Sequence, residues 1–146
     1  MYNVHLVAKK IINLSDQAKK TVTPMQLIKL VYLSHGWMLG LYNRPLIKED
    51  IEAWQYGPVI PELYRSIKHY RSHPVEKIDC EDQEIDESSE SIINQVYEKY
   101  GDFSGVYLSM LTHEKGSPWE ITWSSGKRVI SNDLIAFFFQ KLAQEK

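Results

Sequence analysis

One stretch limits the folds open to this chain more than any other. Between Met25 and Tyr42, twelve of eighteen residues are apolar. At helical pitch they cover every side of the cylinder rather than one stripe. Leu27, Leu30, Val31, Met38 and Leu41 share a face, while Ile28, Tyr32, Leu33 and Trp37 cover the others. A helix that is apolar all round must be surrounded, so the rest of the chain has to wrap it. Its start is well signalled. Thr23 is a good N-cap, Pro24 suits the first helical position, and Gln26 completes a capping box. Gly36 inside it costs about 1 kcal/mol relative to Ala, which predicts a close approach by another helix. His35 reads as a hydrogen-bonded core histidine rather than a ligand.

The wrapping pieces are also mostly helical. Val4, Val7, Ala8 and Ile11 recur at helical spacing and predict a first helix near residues 2–18. After the break at Asn43-Arg44-Pro45, residues 51–56 read as a short extended piece, with Gly57-Pro58 turning the chain. Pro61 opens a third helix that runs toward His73-Pro74. Ser88 or Ser89 can cap a fourth helix to Tyr100, stopped by Gly101. Ser104 opens a fifth with Tyr107, Leu108 and Leu111 facing inward. Ser117-Pro118-Trp119-Glu120 is a second capping box leading into a short helical turn. A last helix from Ser131 or Asn132 packs through Ile135, Phe138, Phe139 and Leu142, with Phe137 pointing away. The expectation is a mainly α, compact single-domain bundle of about six helices over residues 1–146, with at most a short extended segment near 51–56. A chain of 146 residues buries about 68–70% of its unfolded surface, enough for a full core without staples.

Residues 76–90 differ in composition. They hold eight acids and one base and read as an exposed, mobile acidic loop. The rest of the chain carries 16 bases against 11 acids, although the whole has a formal net charge of −2. That total argues against a strongly basic nucleic-acid binder as the default. Arg65, Lys68 and Arg71 could still share a helix face, so a DNA-associated regulator of phage or prophage origin stands as the alternative reading. The longest apolar run, Leu134–Phe139, is far below the roughly 18 residues of a membrane span. The opening residues lack a signal peptide's pattern, so the expected location is cytoplasmic, away from membranes.

Chemistry is sparse. The chain has no Gly-rich phosphate loop and no HExxH or GxSxG motif. Cys80 is the only cysteine, which excludes an internal disulfide, and its acidic surroundings disfavour the thiolate. His69 and His73 have the spacing of a metal clip but no third ligand, and surface histidines are the plainer reading. His113 and Glu114 could form an acid–base pair; alternatively His113 caps the preceding helix and Glu114 is solvated. No cofactor, metal or catalytic residue is therefore expected. The four tryptophans and nine tyrosines are the more unusual feature, because aromatic residues anchor protein interfaces.

Three segments in order, TPMQLIKLVYLSHGW (Thr23–Trp37), IEAWQYGPVIPELY (Ile51–Tyr64) and LTHEKGSPW (Leu111–Trp119), resemble the Panacea antitoxin domain. This is the family of the SocA-like antitoxins and the phage-associated GepA proteins. The resemblance implies a largely helical antitoxin that neutralises a cognate protein toxin by direct binding. It implies no enzyme activity and no cofactor. A SocA-type member also acts as a proteolytic adaptor to ClpXP, which makes that protease a second implied partner. Nucleic acid and membranes are not expected partners, while a homo-oligomer is compatible with the sequence. The candidate contacts are Trp54, Tyr56, Pro58, His113, Trp119 and Phe137. For Trp54, Tyr56 and Trp119, plain core packing is an open alternative.

Overall fold

The all-round apolar helix is where the sequence puts it. In the computed structural model, which describes residues 1–145, α2 (Pro24–Tyr42) buries every residue from Leu27 to Leu39. Thr23 and Gln26 close the capping box in both directions. Around α2 stand α1 (Val4–Gln17), α3 (Pro61–Ile67), α4 (Glu87–Tyr100), α5 (Gly105–Thr112), α6 (Pro118–Ser124) and α7 (Asn132–Gln144). The fold is mainly α. The seventh α-helix, α6, is the short turn expected after Ser117. The buried apolar side chains form one cluster with α2 at its centre.

α2 and α7 pack closely against each other. A Cβ added at Gly40 would lie 2.6 Å from the Phe139 Cβ and 2.9 Å from its carbonyl carbon. Gly36 faces the Phe139 ring. Trp37 and Tyr32 meet that ring edge-on, at centroid distances of 5.2 and 6.2 Å. His35 is a satisfied core histidine. Its Nδ1 accepts the Leu46 and Ile47 N–H groups at 3.2 Å each, so Nε2 carries the proton and donates to Asn132 Oδ1 at 2.9 Å. Burial holds its pKa below the usual imidazole value.

Four local expectations change. The extended segment is one arm of a hairpin, β1 (Glu52–Trp54) against β2 (Gly57–Val59), with Trp54 opposite Gly57. The turn lies at Gln55-Tyr56, and Gly57-Pro58 belongs to β2, where the φ of Gly57 (127°) suits only glycine. The third helix stops early. Lys68–Tyr70 is a 3-10 turn and Arg71 leaves it with φ 57°, so Arg65, Lys68 and Arg71 do not share one helical face. Tyr107 points out of α5 and not inward.

The acidic segment is the fourth change. Residues 76–86 form a mostly exposed loop, as expected, but the loop is anchored along the body at several points. Val75, Ile78 and Ile85 are buried. Val75 N–H donates to the Val22 carbonyl at 2.8 Å, and Lys9 reaches the Cys80 carbonyl and Asp82. Its last acids belong to α4, whose N-cap is Asp86, not Ser88 or Ser89. Two hydrogen bonds from Ser89, one from Tyr2 and the Arg44 guanidinium hold the Asp86 carboxyl well below the ordinary range. The three isoleucine and valine side chains supplied too weak a period to announce this anchoring.

Candidate functional site

The β1–β2 hairpin is too short to be stable alone, and side chains from three helices pin it. Alternate carbonyls along its tip each accept one donor. Trp119 Nε1 of α6 reaches the Trp54 carbonyl at 2.6 Å, Ser109 Oγ of α5 the Tyr56 carbonyl at 2.6 Å, and Lys29 Nζ of α2 the Pro58 carbonyl at 2.7 Å. All three family-like segments therefore meet here.

Lys29 is the unusual member. It is 4% exposed, and the ion pairs among the described residues do not include it. Burial pushes its pKa down to about 8, because an ammonium loses its hydration there. Gly57 leaves room for it: a Cβ at that position would sit 3.0 Å from Nζ. Lys29 lies in a groove of about 450 Å³ walled by Trp54, Tyr56 and Tyr64, with Met25 and Arg71 also lining it. Trp54 meets Tyr64 edge-on at 5.3 Å, and its Nε1 donates to Glu52 at 2.9 Å. Among the described residues, the groove lining holds two cations and no carboxylate.

Beside the groove lies an apolar rim. α5 is apolar on both sides; Leu108 faces the core, while Val106 (67% exposed), Tyr107 (46%) and Met110 (57%) face out. Phe103 packs on Tyr107 at 4.7 Å. At Gly105 the helix lies so close to Met25 that an added Cβ would be 3.0 Å from that side chain. Met25 thus joins the rim to the groove.

Five of the six candidate residues gather around the hairpin, α5 and α6. Tyr56 is exposed, Trp54 and His113 are half-buried, and Pro58 and Trp119 are buried. His113 Nδ1 donates to the Ser109 carbonyl, the capping role, and its ring meets Trp119 edge-on at 5.4 Å. Trp119 stacks on the exposed Trp123 at 5.5 Å. Phe137 sits elsewhere, on the solvent side of α7, with Lys141 Nζ 5.3 Å above its ring. Among the described residues no cluster of three or more His, Cys, Asp or Glu could hold a metal ion. Nor is any helix among them long and apolar enough to cross a membrane. Sequence reasoning missed Lys29, whose signal was a single charge inside an otherwise apolar helix. It also missed the outer face of α5, which two-sided apolarity should have betrayed.

The architecture is that of a small, mainly α domain built around one buried helix, with its distinctive residues collected at a pinned hairpin. Residues 27–120 match the SocA-like antitoxin family, Panacea domain, and the chain belongs to that family. It is similar to Antitoxin SocA of Caulobacter vibrioides (strain NA1000 / CB15N), with 29% identity over 115 residues. The aligned part covers 68% of this chain and 59% of that protein, so the chain spans about three fifths of the length of this relative. No solved structure matches the chain significantly.

Proposed function

We propose that this chain is the antitoxin of a toxin–antitoxin pair and neutralises a cognate protein toxin by binding it directly in the cytoplasm. The observation that carries the reading is the exposed apolar face of α5, continuous through Met25 with the groove under the hairpin. Surface-exposed Tyr and Met next to a concave site are the usual material of interface anchors. Trp54 and Tyr56 touch the toxin in this reading. Pro58, His113 and Trp119 hold the hairpin and α5 in place, and Phe137 is a separate anchor on α7. Delivery of the toxin to ClpXP is a second step open to the same complex.

Co-expression with the product of the adjacent gene tests the proposal. That product should arrest growth alone and be tolerated with this chain. The double variant Tyr107→Asp, Met110→Asp should melt within a few degrees of the parent, since exposed changes cost at most about 0.5 kcal/mol, yet lose protection. A neighbour that stays toxic beside the unaltered chain, or full protection by the double variant, overturns it.

A further inference from the structure

We propose that the groove under the hairpin is a carboxylate socket, in which Lys29 and Arg71 receive an Asp or Glu side chain carried between apolar residues on the bound toxin. This deepens the antitoxin reading and rests on it for the identity of the occupant. The argument begins with Lys29 itself. An ammonium has three donors, and the Pro58 carbonyl takes one of them at 2.7 Å. Pinning the hairpin does not require a charge: Trp119 and Ser109 hold the neighbouring carbonyls with neutral groups. A buried charge without a counter-charge is costly, and the described residues of the groove supply no carboxylate.

Arg71 is the second observation. It emerges from the 3-10 turn with φ 57° and ψ −115°, a conformation rare for a residue with a side chain. It is exposed and lines the same groove as Lys29. One buried and one exposed cation thus share a concave site with three aromatic walls. An anion fits that charge pattern, and the aromatic walls suit apolar flanks. A polypeptide is the occupant because the groove opens onto the α5 rim through Met25, so whatever carries the carboxylate extends along an apolar surface.

The test uses the full chain and two peptides, each acetylated and amidated, one with a Leu-Glu-Trp core and the other with Leu-Gln-Trp. Amide shifts at Gly57 and Ser109 are followed by NMR at millimolar peptide. The Glu peptide should bind about tenfold more tightly or better, as expected for one charged hydrogen bond. Lys29→Met and Arg71→Gln should each reduce that preference toward unity; the second change lies at the surface and leaves the core intact. Equal binding of the two peptides, no binding of either, or a preference that survives both substitutions overturns the socket. Free N-acetylglutamate binding as tightly as the peptide overturns the polypeptide occupant. A chain that protects against its toxin but shows no acid preference sinks the socket alone. A chain with the preference but no protection sinks the antitoxin reading.

Discussion

Two regions of α2 bury an ionisable side chain, and they do so on opposite terms. At the α2–α7 seam, His35 has a partner for each ring nitrogen and stays neutral. Two glycines bring Phe139 against the helix backbone. Two turns earlier on the same helix, Lys29 is also buried but holds one carbonyl and, among the described residues, no counter-ion. Beside it, α5 leaves Val106, Tyr107 and Met110 in water. The seam satisfies its histidine and fills the space beside its two glycines with Phe139. Among the described residues, the hairpin side leaves a charge without a counter-charge and apolar surface in water, both of which cost stability. The satisfied histidine and the unpaired lysine thus occupy different stretches of one helix.

The largest expected effect tests the seam. Phe139 is 2% exposed and fills the space that Gly36 and Gly40 leave. Phe139→Ala should lower unfolding free energy by about 4 kcal/mol through lost burial and a cavity. Gly40→Ala should cost about 2 kcal/mol by overpacking, because the atoms it meets include Phe139 backbone. Urea unfolding measures both. A loss below about 1 kcal/mol for Phe139→Ala would mean that the seam is not where stability is concentrated.

How much of this was legible beforehand divides along the same line. The seam could be read because its determinants are local and periodic: the Thr23-Pro24-Gln26 box, the Ile135/Phe139 stripe and Gly36 each act within a few residues. The hairpin side could not, because its determinants are long-range. The Pro58 carbonyl meets Lys29, and the Trp54 carbonyl meets Trp119, only after folding. Sequence marked Trp54, Tyr56 and Trp119 as a group through the family-like segments, but it could not say that Trp119 props the strand while Tyr56 stands in solvent. The Arg65/Lys68/Arg71 face failed for a different reason. Regular pitch was assumed beyond Ile67, where the helix tightens to a 3-10 turn and Arg71 takes a positive φ.

A second, smaller effect tests the hairpin side. The folded-state pKa of Lys29 is about 8, against 10.5 for an exposed lysine. At 1.36 kcal/mol per unit, keeping it charged when folded costs about 3 kcal/mol. Below pH 8 both folded and unfolded chains carry the proton, and the fold bears the whole penalty. Between pH 8 and 10.5 the unfolded chain holds a proton that the fold has released, so this group makes stability rise with pH. Lys29→Met removes the penalty but leaves the Pro58 carbonyl unpaired, at about 1 kcal/mol. The variant should be about 2 kcal/mol more stable than the parent at pH 7, and its advantage should shrink as pH rises from 8 to 10.5. A variant less stable at pH 7, with a gap independent of pH, would make Lys29 a structural strut and erase the contrast with His35.

The smallest effect returns to the seam and asks whether it is as well satisfied as the contrast requires. Tyr32 is 2% exposed, and its hydroxyl is one of two buried side-chain polar atoms that find no hydrogen-bond partner among the described residues. Burial also pushes its pKa upward, so the ring stays a neutral phenol at any ordinary pH. Its edge-on packing against Phe139 needs the ring and not the oxygen. Tyr32→Phe should therefore gain about 1 kcal/mol, the desolvation cost of an unpaired hydroxyl. Thermal melts with matched urea titrations can resolve that. A loss of similar size would show that the hydroxyl has a partner in solution, such as an internal water, and that the seam is satisfied even here; a gain makes Tyr32 its one polar defect beside Phe139.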